Sequence, residues 1–333
     1  MPQPAALPHA AAVSVTGRCA YCGYRIPVEP VRTSTGTACC SEHCRNAVEA
    51  GDQPYSDRFA FKRRSTGVAA LDALLPQGYP ANSFVLLSGD QGLRHRELQA
   101  ELVWRTLTRG EPAVVVTFVD PAVAVVEQFL TLGWNVLPFL ERGDLQIIDC
   151  FTSRLREDHQ TPQHQVEWNA FLAGVLEDAT TVVLEPSDLR SVEDALHARL
   201  EATDMIRRGI VVIDSLNEVE IQGQETETEQ FVKEVRGDIC SRKFVPIFAS
   251  VTASGGESFL DDSLYLFDGI VETRHTESLV DGVRLKQLSI GKMDGVLAHP
   301  DWVAYENGAG GFRTFDPVAD LAAVYGPLSY CRT

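Results

Sequence analysis

The chain has 333 residues, 44% hydrophobic and 23% charged, a balance that excludes disorder as the main state and leaves room for one large domain plus a small one. With 29 basic against 46 acidic side chains the net charge is −17, which excludes a general nucleic-acid-coating or anionic-membrane-binding surface. Only five of the basic residues are Lys; the other 24 are Arg.

Residues 1–16 carry Ala and Pro with no charged segment ahead of an apolar one, so they read as a flexible tail and not as a signal peptide. No uninterrupted apolar run of about 18 residues occurs, so no transmembrane helix is expected and the chain reads as cytoplasmic. Of the eight cysteines, Cys19, Cys22, Cys39, Cys40 and Cys44 fall close together, while Cys150, Cys240 and Cys331 are scattered. In a cytosolic chain such clustering points to metal, not to disulfides.

Cys19-Ala-Tyr-Cys22-Gly23 has the spacing of a metal knuckle, a tight turn that aims two thiolates at one point. The second pair is Cys40-Ser-Glu-His-Cys44, whose i, i+4 spacing puts both sulfurs on one face of a helix's first turn. Four thiolates at about 2.3 Å make a closed tetrahedral zinc site, structural and without an open position for catalysis. So short a segment builds too small an apolar core, and the metal supplies much of its folding energy. The pattern resembles the TRASH and MYM group of treble-clef zinc fingers, which typically end in an aromatic followed by Cys-Ser-x-x-Cys. Cys39 stands where that aromatic usually is, so Cys40 is preferred as ligand, with Cys39 or His43 as substitutes. The resemblance implies a finger that binds protein partners or senses metal. Metal-free reduced thiols, and iron in place of zinc, are the alternatives.

We place the finger at 17–50, a polar linker at 51–64, a core at 65–316 and a C-terminal tail at 317–333. Charge follows the same division: residues 1–66 carry a net +3 and the remainder −20. A basic finger leaves open a DNA-associated regulator acting through it.

In the core, SFVLLSG from Ser83 reads as a buried strand, followed by a Gly-containing turn and an amphipathic helix from Glu97 to Arg109. Then come a strand at Ala113–Phe118, a helix at Ala122–Leu132 and a strand at Leu145–Asp149. Helices at Gln165–Leu176 and Ser191–Ala202 precede the strand Gly209–Asp214. After a helix near Glu229–Ser241 follow VPIFASV and strands at Tyr265–Glu272, Arg284–Ser289 and Trp302–Tyr305. The Asp149–His164 stretch reads as polar loop, QTPQHQ within it as surface, and Cys150 and Cys240 as packed thiols. Continuous apolar strands alternating with helices predict an α/β fold, a mainly parallel sheet covered on both faces.

Ser65-Thr66-Gly67, Leu71-Asp72, VLLSGDQG, VTFVDP, Gly133-Trp134, VVIDS and LSIGKMDG occur here in the order and spacing of KaiC-like ATPases of the RecA superfamily, which the core resembles. The resemblance implies a RecA-like P-loop NTPase fold and ring or filament assembly. A Walker A loop is G-x-x-x-x-G-K-[ST], in which backbone N–H groups cradle phosphate, Lys reaches the β and γ oxygens, and the hydroxyl holds magnesium. This chain reads Gly89-Asp-Gln-Gly92-Leu-Arg94-His95-Arg96. Arg94 replaces the second Gly, His95 the Lys and Arg96 the hydroxyl. No lysine occurs between Lys62 and Lys233, so no shift of register restores the motif. The family's Glu-Glu pair after the second strand is here Val119-Asp120, and its Lys-x-Arg sensor is Lys292-Met293-Asp294. Walker B is intact and ends in Asp214.

Losing a loop lysine, a metal-binding hydroxyl and a transition-state arginine removes terms each worth on the order of 10²-fold or more. The expectation is a regulatory or interaction protein, a pseudo-ATPase with Asp120, Asp214 and Lys292 as vestiges of the site. Two alternatives stand beside it. Gly89, Gly92, Arg94, His95 and Arg96 at a helix N-terminus could take ATP or another phosphate without magnesium, or arginines could replace Lys in an active ATPase.

Overall fold

The computed structural model describes residues 17–23, 26, 29–52, 63–89, 95–154, 163–222, 225–252, 263–276, 285–299, 301–308 and 311–316. The chain divides into two compact units, 1–62 and 63–333.

The first unit is a turn, a hairpin and a helix. The amide of Gly23 donates to Cys19 O at 2.9 Å, closing the knuckle turn, and Gly23 takes φ 74°, a left-handed conformation that suits glycine. β1 (Val31–Arg32) and β2 (Ala38–Cys39) pair antiparallel. α1 (Glu42–Glu49) follows directly, capped by Ser41, whose Oγ accepts from the Cys44 amide at 3.2 Å. Half of its buried core is cysteine: Cys19, Cys39 and Cys44 are buried with Tyr21, Ile26 and Ala47.

In the second unit a short ladder of β3 (Arg63–Arg64) and β4 (Tyr79–Pro80) encloses α2 (Ala69–Leu74). The chain then alternates: β5 (Phe84–Gly89), α3 (Arg96–Thr108), β6 (Ala113–Thr117), α4 (Ala122–Thr131), α5 (Leu137–Glu141), β7 (Leu145–Asp149). It continues with α6 (Gln163–Leu176), β8 (Thr180–Val182), α7 (Leu189–Ala202), β9 (Ile210–Asp214), α8 (Leu216–Gln222) and α9 (Glu225–Val235). α9 runs on as a π-helical segment, Arg236–Lys243, ended by Phe244 at φ 55°. Last come β10 (Ile247–Thr252), β11 (Gly269–Thr276), β12 (Leu285–Met293), β13 (Val303–Gly308) and β14 (Gly311–Thr314).

Among the described residues these strands form one ten-stranded sheet in the order β14-β13-β12-β11-β5-β10-β9-β6-β7-β8. Pairing is parallel from β11 through β8 and antiparallel from β11 through β14. The sheet is therefore mixed but mostly parallel. Its central strands β5, β6, β7 and β9 are buried on both faces, which is why they read as largely apolar runs. In β6, Val115 belongs to the core under α3 and α4, while Val114 and Val116 belong to the core under α7 and α9.

Three expectations are corrected. The strand predicted from Tyr265 starts instead at Gly269, because Leu264–Leu266 is a 3₁₀ turn with Tyr265 exposed. QTPQHQ is not wholly loop, since α6 begins at Gln163. Asp149, read as the start of a polar loop, is 2% exposed. Its carboxylate accepts from the amides of Ala122, Phe151 and Thr152 and from Thr152 Oγ1, all within 2.7–2.9 Å. The bond to Ala122 fixes the start of α4 and with it the turn that carries Asp120. Cys150 and Cys240 are packed thiols, as expected, with burial pushing Cys150 up to about 12 and Cys240 well above its ordinary value.

Removing the Asp149 carboxylate leaves the amides of Ala122, Phe151 and Thr152 without their acceptor, the first of them in a buried bond. Asp149→Ala is expected to lower the unfolding free energy by about 3 kcal/mol, read as a lower urea midpoint with unchanged slope. Asp149→Asn keeps one acceptor oxygen and is expected to lose about half as much.

Candidate functional site

β6 and β9 lie side by side with Thr117 opposite Asp214, so both strands end at the same height on the sheet. The turn after β6 is tied by Thr117, whose Oγ1 donates to Asp120 O at 2.8 Å and accepts from the Asp120 amide at 3.2 Å. That places two carboxylates, Asp120 and Asp214, beside the N-terminus of α3.

Arg96, the first residue of α3, bridges them. Its Nε lies 2.8 Å from Asp214 Oδ2 and its Nη1 pairs with Asp120 Oδ2. Ser250, near the end of β10, donates to Asp214 Oδ1 at 3.1 Å. Burial raises the Asp214 carboxyl above the ordinary carboxylate range, opposed by Arg96 and the Ser250 hydroxyl. A guanidinium thus stands at the first residue of α3 and holds the carboxylate that ends β9.

His95 turns inward. It is 5% exposed, its Nε2 lies 2.9 Å from Thr273 Oγ1 on β11, and Thr273 Oγ1 also donates to Ser88 O at 3.4 Å. Burial pushes the imidazole down to about 4, against a hydrogen bond with Ser88 that raises it, so the ring is neutral at pH 7. Gly89 is needed for this packing, since a Cβ there would lie 2.0 Å from Thr273 Oγ1 and 2.8 Å from His95 Nε2.

Lys292 on β12 is also engaged: Nζ donates to Phe267 O at 2.6 Å and sits 3.4 Å from Asp294 Oδ2. Gly92 and Arg94 lie outside the described residues. The structure therefore brings Arg96, Asp120 and Asp214 together, sets His95 against β11, and ties Lys292 to its own neighbours.

The sequence reading missed Ser250, Thr273 and Gln99. Gln99 is 3% exposed, and its Nε2 donates to Ile213 O at 2.9 Å and Phe248 O at 3.5 Å, fastening α3 to β9 and β10. Its spacing from Arg96, one turn along the same helix, was the available signal. Ser250 and Thr273 gave none, because their roles depend on which strands are neighbours.

In the N-terminal unit the four thiols of Cys19, Cys22, Cys40 and Cys44 lie within 4.8 Å of one another. The Cys22–Cys40 and Cys40–Cys44 sulfurs are each 3.6 Å apart. Bonds of about 2.3 Å to one tetrahedral ion would set sulfurs about 3.8 Å apart, whereas a disulfide needs about 2 Å. The tetrad thus has the dimensions of a thiolate metal site. Cys39 is fully buried beside it in the apolar core, and His43 is exposed on α1.

The family description ATPase: KaiC matches residues 64–314. A UPF0273 protein of Thermotoga maritima is 28% identical over 238 residues, covering 70% of this chain and 88% of that one. A UPF0273 protein of Pyrococcus horikoshii is 23% identical over 235 residues, covering 70% and 86%. The crystal structure of a KaiC-like protein from Pyrococcus horikoshii superposes with a TM-score of 0.58 at 16% identity, over 76% of this chain and 99% of that one, a likeness of fold. Among the described residues no helix is long and apolar enough to cross a membrane.

The buried neutral His95 predicts an acid dependence. Its pKa is lower folded than unfolded, so its contribution is complete above about pH 6.5 and is lost as pH falls toward about 4. Over that interval the wild type is expected to lose about 3 kcal/mol more than His95→Gln, measured as the difference between their denaturation curves at each pH.

Proposed function

The chain belongs to the KaiC family of ATPases, and from that premise we propose that it is a regulatory or interaction protein whose KaiC domain no longer hydrolyses ATP efficiently and is joined to a small zinc-held finger. The observation that carries the reading is the Arg96 bridge. Magnesium in a phosphoryl-transfer site neutralises charge on the phosphates and is held by the loop hydroxyl and the Walker B carboxylate. Here the hydroxyl is absent and the guanidinium occupies the Asp214 oxygen that would serve the ion. An arginine cannot coordinate a metal, and its charge stays with the chain.

The neighbouring substitutions support the same reading. His95 is short, neutral and packed against Thr273, so it does not act as a phosphate-reaching cation. The loop then serves as a strand-to-helix connection, and the fold serves as a surface for protein partners. For the finger, four soft thiolates with tetrahedral dimensions favour zinc. Cys19, Cys22, Cys40 and Cys44 would hold it, and the ion would supply structure without an open coordination position.

Two measurements test this. Purified protein is expected to show no magnesium-dependent ATP hydrolysis and no shift of its thermal midpoint with ATP and magnesium. In Arg96→Thr, which frees both carboxylates for an ion, magnesium alone is expected to raise the midpoint. Steady turnover by the wild type, abolished in Asp214→Asn, would overturn the reading. Metal analysis is expected to find one zinc per chain, lost in Cys22→Ser and in Cys44→Ser; freshly purified protein without metal would remove the finger from the proposal.

A further inference from the structure

On the far side of the sheet from α3, helices α7 and α9 pack together and leave an open groove of about 500 Å³ between them. Its floor is apolar, made by Leu189 and Phe231. Its walls are acidic. Glu193 on α7 faces Glu234 on α9, with Asp188 and Glu227 also lining the groove and Arg190 as the cation among the lining residues.

Among the described residues neither Glu193, half-buried, nor Glu234, exposed at the rim, has an ion pair. Glu234 accepts from Gln230, a neutral donor one turn back on α9. Glu193 Oε1 is buried with no hydrogen-bond partner among the described residues. Asp194 beside it adds negative charge, and so does Asp238 on the π-helical segment, itself paired with Arg242 at 2.8 Å. His197 lies one turn along α7 from Glu193. The strands beneath α7 present Val114, Val116 and Ile148 to it, all apolar, so no compensating charge comes from the sheet.

We propose that the α7–α9 junction is a proton-dependent clamp, in which a proton held between the facing carboxyls of Glu193 and Glu234 keeps the helices together and its loss drives them apart. Two carboxylates on facing helices repel when both are ionised, and a single proton converts that repulsion into a hydrogen bond. Burial, contact with Glu234 and the charges of Asp238 and Asp194 push the Glu193 carboxyl up to about 7, so the change falls near neutrality. The junction is also well placed to pass on a change. α9 continues into the segment bearing Arg236, which pairs with Asp268, and Asp268 Oδ2 accepts from the amide of Phe84 at 2.9 Å, where β5 begins.

The sign follows from linkage. A carboxyl whose pKa is higher folded than unfolded adds stability that is complete below its unfolded value, near 4.5, and is lost as pH rises through about 7. This opposes the contributions of His95 and of metal-bound thiolates, which both favour higher pH.

The test is the thermal midpoint of the full-length protein from about pH 5 to about pH 8, compared with Glu193→Gln and Glu234→Gln. Relative to Glu193→Gln the wild-type midpoint is expected to fall by about 2–4 °C across this range, and by less relative to Glu234→Gln, in which burial still raises Glu193. Amide exchange in α9, corrected for its intrinsic pH dependence, is expected to quicken above about pH 7 in the wild type and not in Glu193→Gln. A wild-type midpoint that runs parallel to both variants, or α9 protection that does not change with pH, would overturn the proposal.

Discussion

The C-terminal edge of the sheet is organised around one guanidinium between two carboxylates. Strand order dictates the problem: β6 and β9 end together, so Asp120 and Asp214 are brought close whatever else happens. A partly buried acid pair must be neutralised or protonated. Arg96 neutralises it from within the chain, anchored at the first residue of a helix that Gln99 fastens to β9 and β10. Breaking such a pair by removing one partner typically costs about 3–5 kcal/mol. The cation is therefore part of the fold and does not arrive with a ligand.

The parallel part of the sheet was legible because its chemistry is one-dimensional. AVVVT and IVVID are apolar at every position but the last and LQIID breaks the run only at Gln146 and its last residue, and only a strand covered on both faces makes use of that. What escaped were elements too short or too locally ambiguous to carry a period. β8 has three residues, two of them Thr, and α5 has five. Tyr265-Leu-Phe looks like a strand, yet Asp268 interrupts it to pair with Arg236 and to cap the start of β5, so the ladder begins one residue later.

The site divides along the same line. Each departure from the phosphate-loop pattern could be read from residue types, and the four clustered thiols could be read from spacing, because both lie within short segments. That Arg96 turns to two acids from different strands could not. Nor could the inward turn of His95, which depends on β11 lying beside β5 so that Thr273 stands opposite Gly89. Buried polar partners such as Ser250 and Asp149 were invisible for a related reason: a Ser or Asp in sequence reads as surface until the fold supplies its donors.

The substitutions at the loop also make sense as a set. In the observed conformation the side chain at position 95 is almost wholly enclosed, next to the Thr273 hydroxyl and a Ser88 carbonyl. A lysine there would be a buried charge with no carboxylate beside it, whereas an imidazole can enter as a neutral ring. Position 96 shows the converse, a site with two acids and a need for permanent charge, which arginine meets over two nitrogens at once. Exchanging the two residues would leave a buried cation unpaired and an acid pair unneutralised. Just past the end of β12, Asp294 lies 3.4 Å from Lys292, whose ammonium donates to Phe267 O at 2.6 Å. Arg96 and Lys292 are thus both engaged by groups of the chain itself, and His95 enters the interior without a charge.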